Sequence, residues 1–331
     1  MQGREKRFPF SFEEGYNGEK GGGALERYRS LNSYLRETCG EKLYKLALDG
    51  GFTCPNRDGT LGSSGCSFCS GRGSGDFAES CRDGVTAAVR RAESRVAHKN
   101  PGGRYIAYFQ SFSATYAPEE RLRALYTEAL SVPEVAVLSV ATRPDCLPEE
   151  TVGLLAELNR VKPVWVELGL QTIHGETARR IRRGYPLPVY DDAVRRLRCA
   201  GIPVITHVIL GLPGESPEMV WDTVRHVGHV GSWGIKLQLL HVLEGTDLAA
   251  EYRAGAFEAL TLEEYLPLLA GCVERLPEET VIHRLTGDGA KRELIAPTWS
   301  GDKKRVLNAI ARYFEDHNVR QGAKWRIESQ G

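Results

Sequence analysis

Six short apolar runs recur along the chain, and each is followed by a longer stretch with helical periodicity. The runs are KLYKLAL (42–48), RYIAYFQ (104–110), VAVLSVA (135–141), VWVELGL (164–170), PVITHVIL (203–210) and IKLQLLHV (235–242). Helical patterns cover 83–99, 118–130, 147–160, 174–182 with 188–200, 216–230 and 261–275, and a last one lies near 303–315. Short β-branched strands alternating with helices specify βαβ units and a parallel sheet. Eight units close a full barrel; six specify an open barrel or a doubly wound sheet. Both architectures gather ligands at the C-terminal ends of the strands.

The polar residues do collect at those ends. The first strand runs into a cysteine-rich loop, and the second ends at Gln110 before SFSATYAP. The third ends in ATRPD (141–145), the fourth in GLQTIH (169–174), the fifth in GLPGE (211–215) and the sixth in LLHVLEGT (239–246). Six loops on one rim predict a crevice with a single chemical face. The chain also carries three arginine and lysine clusters, 179–183, 195–198 and 303–305, which read as solvated helix faces; the first adjoins the crevice.

The loop after the first strand, CPNRDGTLGSSGCSFC (54–69), holds Cys54, Cys66 and Cys69 among glycines, serines and charged groups. Cysteine is often a buried residue, but this loop has too little apolar surface to make a core. A zinc site takes four ligands, and the nearby fourth candidate is Cys81. An iron–sulfur cluster held by three thiolates uses soft ligands and leaves one position open, as catalytic metals do. The third reading suits a loop that faces five other polar loops.

The spacing Cys-x11-Cys-x2-Cys, with Phe68 before the last cysteine, resembles the radical S-adenosylmethionine (SAM) superfamily, although the usual first spacing there is three residues. CPNRDGT, GCSFCS, GSGDFA, FQSFSATYAP, TRPDCL, ELGLQT, THVILGLPGE and GDGAKRELIAPTW, in that order, resemble the YhcC/YtqA family. TRPD and GLQ are also shared with the catalytic subunit of Elongator. The resemblance implies an α/β fold, a partial (β/α)6 TIM-like barrel of parallel strands with a short C-terminal extension. It divides the chain into a tail (1–24), the barrel (25–279) and the extension (280–331).

The resemblance also implies the chemistry. A [4Fe-4S] cluster on Cys54, Cys66 and Cys69 would chelate SAM and cleave it to a 5′-deoxyadenosyl radical, with the protein supplying position and exclusion of water. Carried over residue by residue, Phe68 meets the adenine, Gln110 lies near the methionine amino group and Gln171 near the ribose. Arg183 pairs with the methionine carboxylate, to which a guanidinium is well matched. His207 and Gly211 pass the adenosine, and Arg143 and Glu167 project from strand ends beside it. Tyr185 stands where relatives show histidine, and no glycine-rich segment follows the second strand.

The expected substrate, carried by likeness to Elongator, is the C5 side chain of a tRNA wobble uridine, with conversion of a carboxymethylaminomethyl toward an aminomethyl group as one candidate step. A small metabolite or a protein side chain is the alternative, and a zinc-stabilised binding module the alternative of another class. The expected partners are SAM, tRNA and an electron donor of the flavodoxin or ferredoxin type. The 43 basic and 43 acidic residues balance, which gives no general attraction to nucleic acid. No apolar run approaches the roughly 20 residues that span a bilayer, and the N-terminus lacks a signal-peptide core, so a cytoplasmic location with reduced thiols is expected. Cys39 and Cys272 read as packing residues, Cys146, Cys199 and His241 as packed or crevice-facing.

Overall fold

A computed structural model describes residues 26–73, 75–287 and 292–325. The expected tail (1–24) and residues 288–291 of the C-terminal motif lie outside them. In chain order the elements are α1 (Leu31–Cys39), β1 (Tyr44–Asp49), β2 (Glu79–Ser80), α2 (Val85–Val96), β3 (Tyr105–Phe109), α3 (Glu119–Ser131), β4 (Val135–Thr142), α4 (Glu149–Asn159) and β5 (Val164–Gln171). Then come α5 (Gly175–Arg180), α6 (Leu187–Cys199), β6 (Val204–Leu210), α7 (Pro217–His229), β7 (Gly234–Leu239), β8 (Val242–Leu243), α8 (Asp247–Arg253), α9 (Leu262–Glu274), β9 (Val281–Arg284), β10 (Leu294–Ala296) and α10 (Lys303–Asp316).

The main sheet is wholly parallel, in the order β2-β1-β3-β4-β5-β6-β7-β9. Its six central strands are the six predicted from the apolar runs. The two end strands are too short or too polar to carry a periodic signal: β2 is Glu-Ser, and β9 is VIHR. The sixth run also ends earlier than its hydrophobicity predicts. The chain leaves the sheet at Leu239, and Val242–Leu243 pairs antiparallel with β10. Apolar residues do not distinguish one sheet from another.

The strand pleat places alternate side chains on opposite faces. Outward residues such as Leu46, Leu48, Phe109, Val140, Val166, Val208 and Leu237 join the helices in the main core. The inward residues fill the barrel in layers, as in closed barrels. The lowest layer is apolar: Leu43, Ile106, Val137, Trp165, Ile205 and Val281 pack with Tyr34 and Leu35, so that α1 plugs the N-terminal end. Ser30 caps α1 by accepting from the Ser33 N–H at 3.1 Å. The next layer is Lys45, Tyr108, Ser139, Glu167, His207 and Lys236, one residue from each central strand.

The margin of β9 is occupied. Ile282 N–H donates to Arg29 O (2.8 Å), and Ser30 bridges Ile282 in parallel. Gln321 fastens this segment from behind: its oxygen accepts from the Arg29 N–H at 2.8 Å, and its amide donates to Pro277 O and Thr280 O. At the far margin, the Glu79 carboxylate of β2 is held by Arg91 and Arg95.

Trp165 is fully buried in the plug, 5.0 Å from the Trp233 ring and 5.8 Å from His283. Replacing it with alanine is expected to cost about 3–5 kcal/mol, read as a lower urea midpoint at unchanged slope.

Candidate active site

The cysteine loop follows β1 and is shaped by its own polar groups. Arg57 and Asp58 N–H both donate to Cys54 O, Gly65 N–H to Asn56 O (2.7 Å), and Cys69 N–H to Cys66 O (3.1 Å). The Arg57 guanidinium donates to the carbonyls of Cys69 (3.2 Å) and Ser70 (2.7 Å). An insert without a core is thus folded around one buried amide, Asn56, and one guanidinium.

The loop is fastened to the α5–α6 connection. Asn56 Nδ2 donates to Arg182 O at 2.7 Å and approaches Cys66 Sγ at 3.4 Å. Arg182 Nε donates to Gly65 O at 2.9 Å, and Ser67 N–H to Ile181 O at 3.2 Å. The close approach requires glycine at position 184: its φ is +86°, and an added Cβ would lie 2.7 Å from Asn56 Oδ1 and 3.1 Å from Arg143 Nη2. Arg143 completes the joint, bidentate to Asp145 (2.9 and 2.7 Å) and donating to Arg183 O at 2.8 Å.

The thiols of Cys66 and Cys69 are within hydrogen-bond reach. That bond from Cys69, then Asn56 and the nearby guanidiniums, lowers Cys66 to about 6, against the effect of burial. The half-buried Cys69 thiol is pushed well above its ordinary value by its bond to Cys66 and by desolvation. Cys81 is a different kind of thiol. It packs in the main core, and burial raises it to about 12. Among the described residues no three His, Cys, Asp or Glu side chains converge on a single-ion position, which a zinc site needs. Three soft thiols on one loop, with no His, Asp, Glu or further Cys converging on them among the described residues, fit an iron–sulfur cluster with an open position.

Six of the residues expected to bind cofactor lie on the inward row of their strands or its direct continuation: Gln110, Arg143, Glu167, Gln171, His207 and Gly211. Phe68 sits on the cysteine loop and packs against the cluster of Ile181, Ile209, Leu212, Leu240 and Leu248. Gly211 borders the same cluster; its φ is +88°, and a Cβ would meet Leu260 at 2.9 Å and Leu240 at 3.9 Å. Gln171 ends β5 in the left-handed region (φ 63°), its amide folded onto the carbonyls of Gly169 (3.2 Å) and Leu170 (2.9 Å). Phe112 and Arg182 have the same conformation at the rim. Non-glycine residues held there store strain and cluster at functional sites.

Arg183 is buried, and its donors go to the carbonyls of Tyr185, Leu170 and Thr172. In this arrangement it braces the connection that carries the cysteine loop. Arg180 pairs with Glu251 at 2.9 Å and Arg182 with Asp247, so α8 neutralises much of the basic cluster 179–183. Arg195 and Arg196 pair with Asp192.

Glu167 and His207 lie lower, in the polar layer. Glu167 has no exposed surface and accepts from Lys45 Nζ (2.6 Å), Ser139 Oγ (2.8 Å) and His207 Nε2 (2.7 Å), while Lys236 also contacts it. Burial alone would raise this carboxyl, but Lys236, Lys45 and His207 outweigh it and hold Glu167 well below the usual range. Burial, then the field of Lys236, lowers His207 to about 4. Sequence reading missed Lys45, Tyr108, Ser139 and Lys236. The available signal was a lysine inside an apolar run, the second lysine of KLYKLAL and the single lysine of IKLQLLHV.

The radical SAM superfamily model matches residues 54–227, and the radical SAM C-terminal domain model matches 232–316. YtqA of Bacillus subtilis is 45% identical over 297 residues, 90% of this chain and 92% of that protein. YhcC of Escherichia coli is 36% identical over 293 residues, covering 88% and 94%. A tRNA uridine(34) acetyltransferase of Methanocaldococcus jannaschii is 25% identical over 187 residues, 55% of this chain and 33% of that protein. The structure of an N-terminally truncated Elp3 of Methanocaldococcus infernus shares the fold, with TM-score 0.63 and 17% identity over 84% of this chain and 64% of that one.

Two outcomes follow from the geometry. Gly184→Ala forces a left-handed alanine against Asn56, a conformational cost of about 1–2 kcal/mol before the clash, and lowers both the melting temperature and the iron retained per chain. His207 stays neutral on acidification: with a folded value near 4 against 6.5 for the ordinary imidazole, the unfolded chain takes the proton first. The stability contributed at this site therefore falls as pH drops from 6.5 toward 4, and the His207 ring resonances in NMR stay unshifted between pH 8 and 5.5.

Proposed function

Since this chain belongs to the radical SAM superfamily, whose enzymes use a [4Fe-4S] cluster and SAM, we propose that Cys54, Cys66 and Cys69 hold that cluster and that the substrate is the C5 side chain of a tRNA wobble uridine. The observation that carries the first part is the three-thiol loop pinned by Asn56 and Arg182 over the inward rows of the strands. The second part rests on the relative named as a tRNA uridine(34) acetyltransferase.

The bound cluster would supply the electron that splits SAM into methionine and a hydrogen-abstracting 5′-deoxyadenosyl radical. The chain's own residues bind and orient. Phe68 and the apolar cluster around Leu212 and Leu240 offer a face for adenine, and Gly211 keeps its backbone clear of that face. Gln171 and Gln110 at the rim supply polar contacts for the ribose and the methionine end, and His207, bonded to Glu167, lies in the layer beneath them. Arg143 stands beside the thiols as a fixed cation, and Arg183 holds the carbonyls on which the loop rests. The expected step on RNA breaks the bond between the side-chain nitrogen and the carboxymethyl carbon: that methylene loses a hydrogen to the 5′-deoxyadenosyl group and a further electron, with SAM the overall two-electron oxidant, and water then releases the carboxymethyl portion as glyoxylate and leaves the aminomethyl amine. The pairing of Arg180 and Arg182 with acidic residues favours a small-molecule substrate as the second reading.

Anaerobically prepared protein is expected to be brown with about four irons per chain, and Cys66→Ser is expected to lose them; a colourless protein with one zinc overturns the cluster assignment. Wobble uridines from a strain lacking the gene should accumulate the carboxymethylaminomethyl form at the expense of the aminomethyl form. An unchanged nucleoside mass profile removes tRNA as substrate and leaves the cluster chemistry standing.

A further inference from the structure

Above the Glu167 layer, the inward positions of β1, β4 and β5 carry Ala47, Ala141 and Gly169, which leave the barrel unfilled. Solvent reaches down this way. Inward Ala47, Gly169, His207 and Gln238 are all partly exposed, while outward neighbours such as Leu46, Leu168, Val208 and Leu237 are buried. The Lys45 side chain keeps 22% exposure and His207 18%, although both lie in the interior row. The strand ends therefore open onto a wet chamber whose floor is ionic.

Among the described residues the floor is short of negative charge. Lys45 and Lys236 share one carboxylate, Glu167, and it is their one acidic partner among the described residues. The Tyr108 ring lies between them, 4.6 Å from each ammonium, and its hydroxyl accepts from Lys236 at 3.1 Å. His207 Nε2 is spent on Glu167, and burial, with Lys45 and Arg284 nearby, holds Lys236 well below the ordinary lysine range, so a further anion beside it would favour its charged form. Neither ring nitrogen of His283 has a partner among the described residues, although the imidazole lies over Gly234 on the strand that carries Lys236. A buried cation without a counter-ion is costly, and so is a buried imidazole with no partner.

We propose that this chamber is a carboxylate site, in which the anionic end of the substrate descends from the mouth and docks on Lys45 and Lys236 beside Glu167. The proposal rests on the reading of the mouth as the active site, but not on the substrate being RNA. Lys45 and Lys236 outnumber the single carboxylate they share by one, an excess that a further carboxylate matches. A carboxymethylaminomethyl side chain carries such a group at its tip, the part that leads into a narrow barrel. The aminomethyl product ends instead in an ammonium, which the same floor repels, so the amine product is released while the carboxylate-bearing fragment that leaves it stays on the lysines until it diffuses out.

The test uses sarcosine, a methylaminoacetate that imitates the tip, and its amide, which lacks the anion, with ligand-observed saturation-transfer NMR on the full chain. Wild type is expected to bind sarcosine and not the amide. Lys45→Gln, which leaves Lys236 on Glu167, should weaken sarcosine about tenfold, the scale of one charged hydrogen bond, and Lys45→Arg should keep it. Ala47→Leu, which fills the chamber without touching its charge, should abolish binding even if Lys45→Gln fails to fold. Wild type failing to prefer sarcosine over the amide overturns the carboxylate site, as does undiminished binding by Ala47→Leu or by folded Lys45→Gln. Sarcosine contains no RNA, so this outcome is independent of the wobble-uridine profile.

Discussion

One carboxylate organises the barrel. Glu167 takes bonds or ionic contacts from β1, β4, β6 and β7 while belonging to β5. It thus fixes the inward face of almost every central strand at one height. A parallel sheet curled around a polar centre is expensive unless each polar group finds a partner, because the desolvation of the charges must be offset by their mutual attraction. Here the apolar plug of Trp165 and α1 seals the layer from below, and water wets it from above. The strand order and the sealed base together put every polar strand end on one rim.

The rim is where local backbone preference gives way to tertiary contact. The cysteine loop has almost no apolar surface, so its conformation comes from the carbonyls it meets, those of Ile181 and Arg182 above all. The left-handed residues Phe112, Gln171 and Arg182 sit around it. Such conformations persist where the surroundings over-determine them, and the dense bonding of Asn56, Arg143 and Arg183 does that here.

The alternation of β-branched runs and amphipathic stretches made the six central strands legible, because burial on both faces demands continuous apolar sequence. The helices from Val85 to Glu274 were legible within a few residues for the same reason. Helix α1, the short α8 and the end strands β2 and β9 were not, since their short patterns mix polar and apolar residues. The three thiols were legible as a set, because a glycine- and serine-rich loop has no other use for them. Lys45 and Lys236 were overlooked inside apolar runs, where a lysine reads as a surface residue until the pleat direction is known. Arg183 marks another limit: its residue type suits a carboxylate, while the carbonyls that fix its place, those of Tyr185, Leu170 and Thr172, leave no pattern in the sequence.

A barrel left open keeps two raw margins, each a row of amides and carbonyls able to recruit a strand from another molecule. One margin is hemmed by Arg29 and Ser30, with Gln321 as the stitch behind them. The other is cut to two residues and ends in a carboxylate clamped by two arginines. The incomplete wall can admit a ligand without also inviting a neighbour to zip onto it.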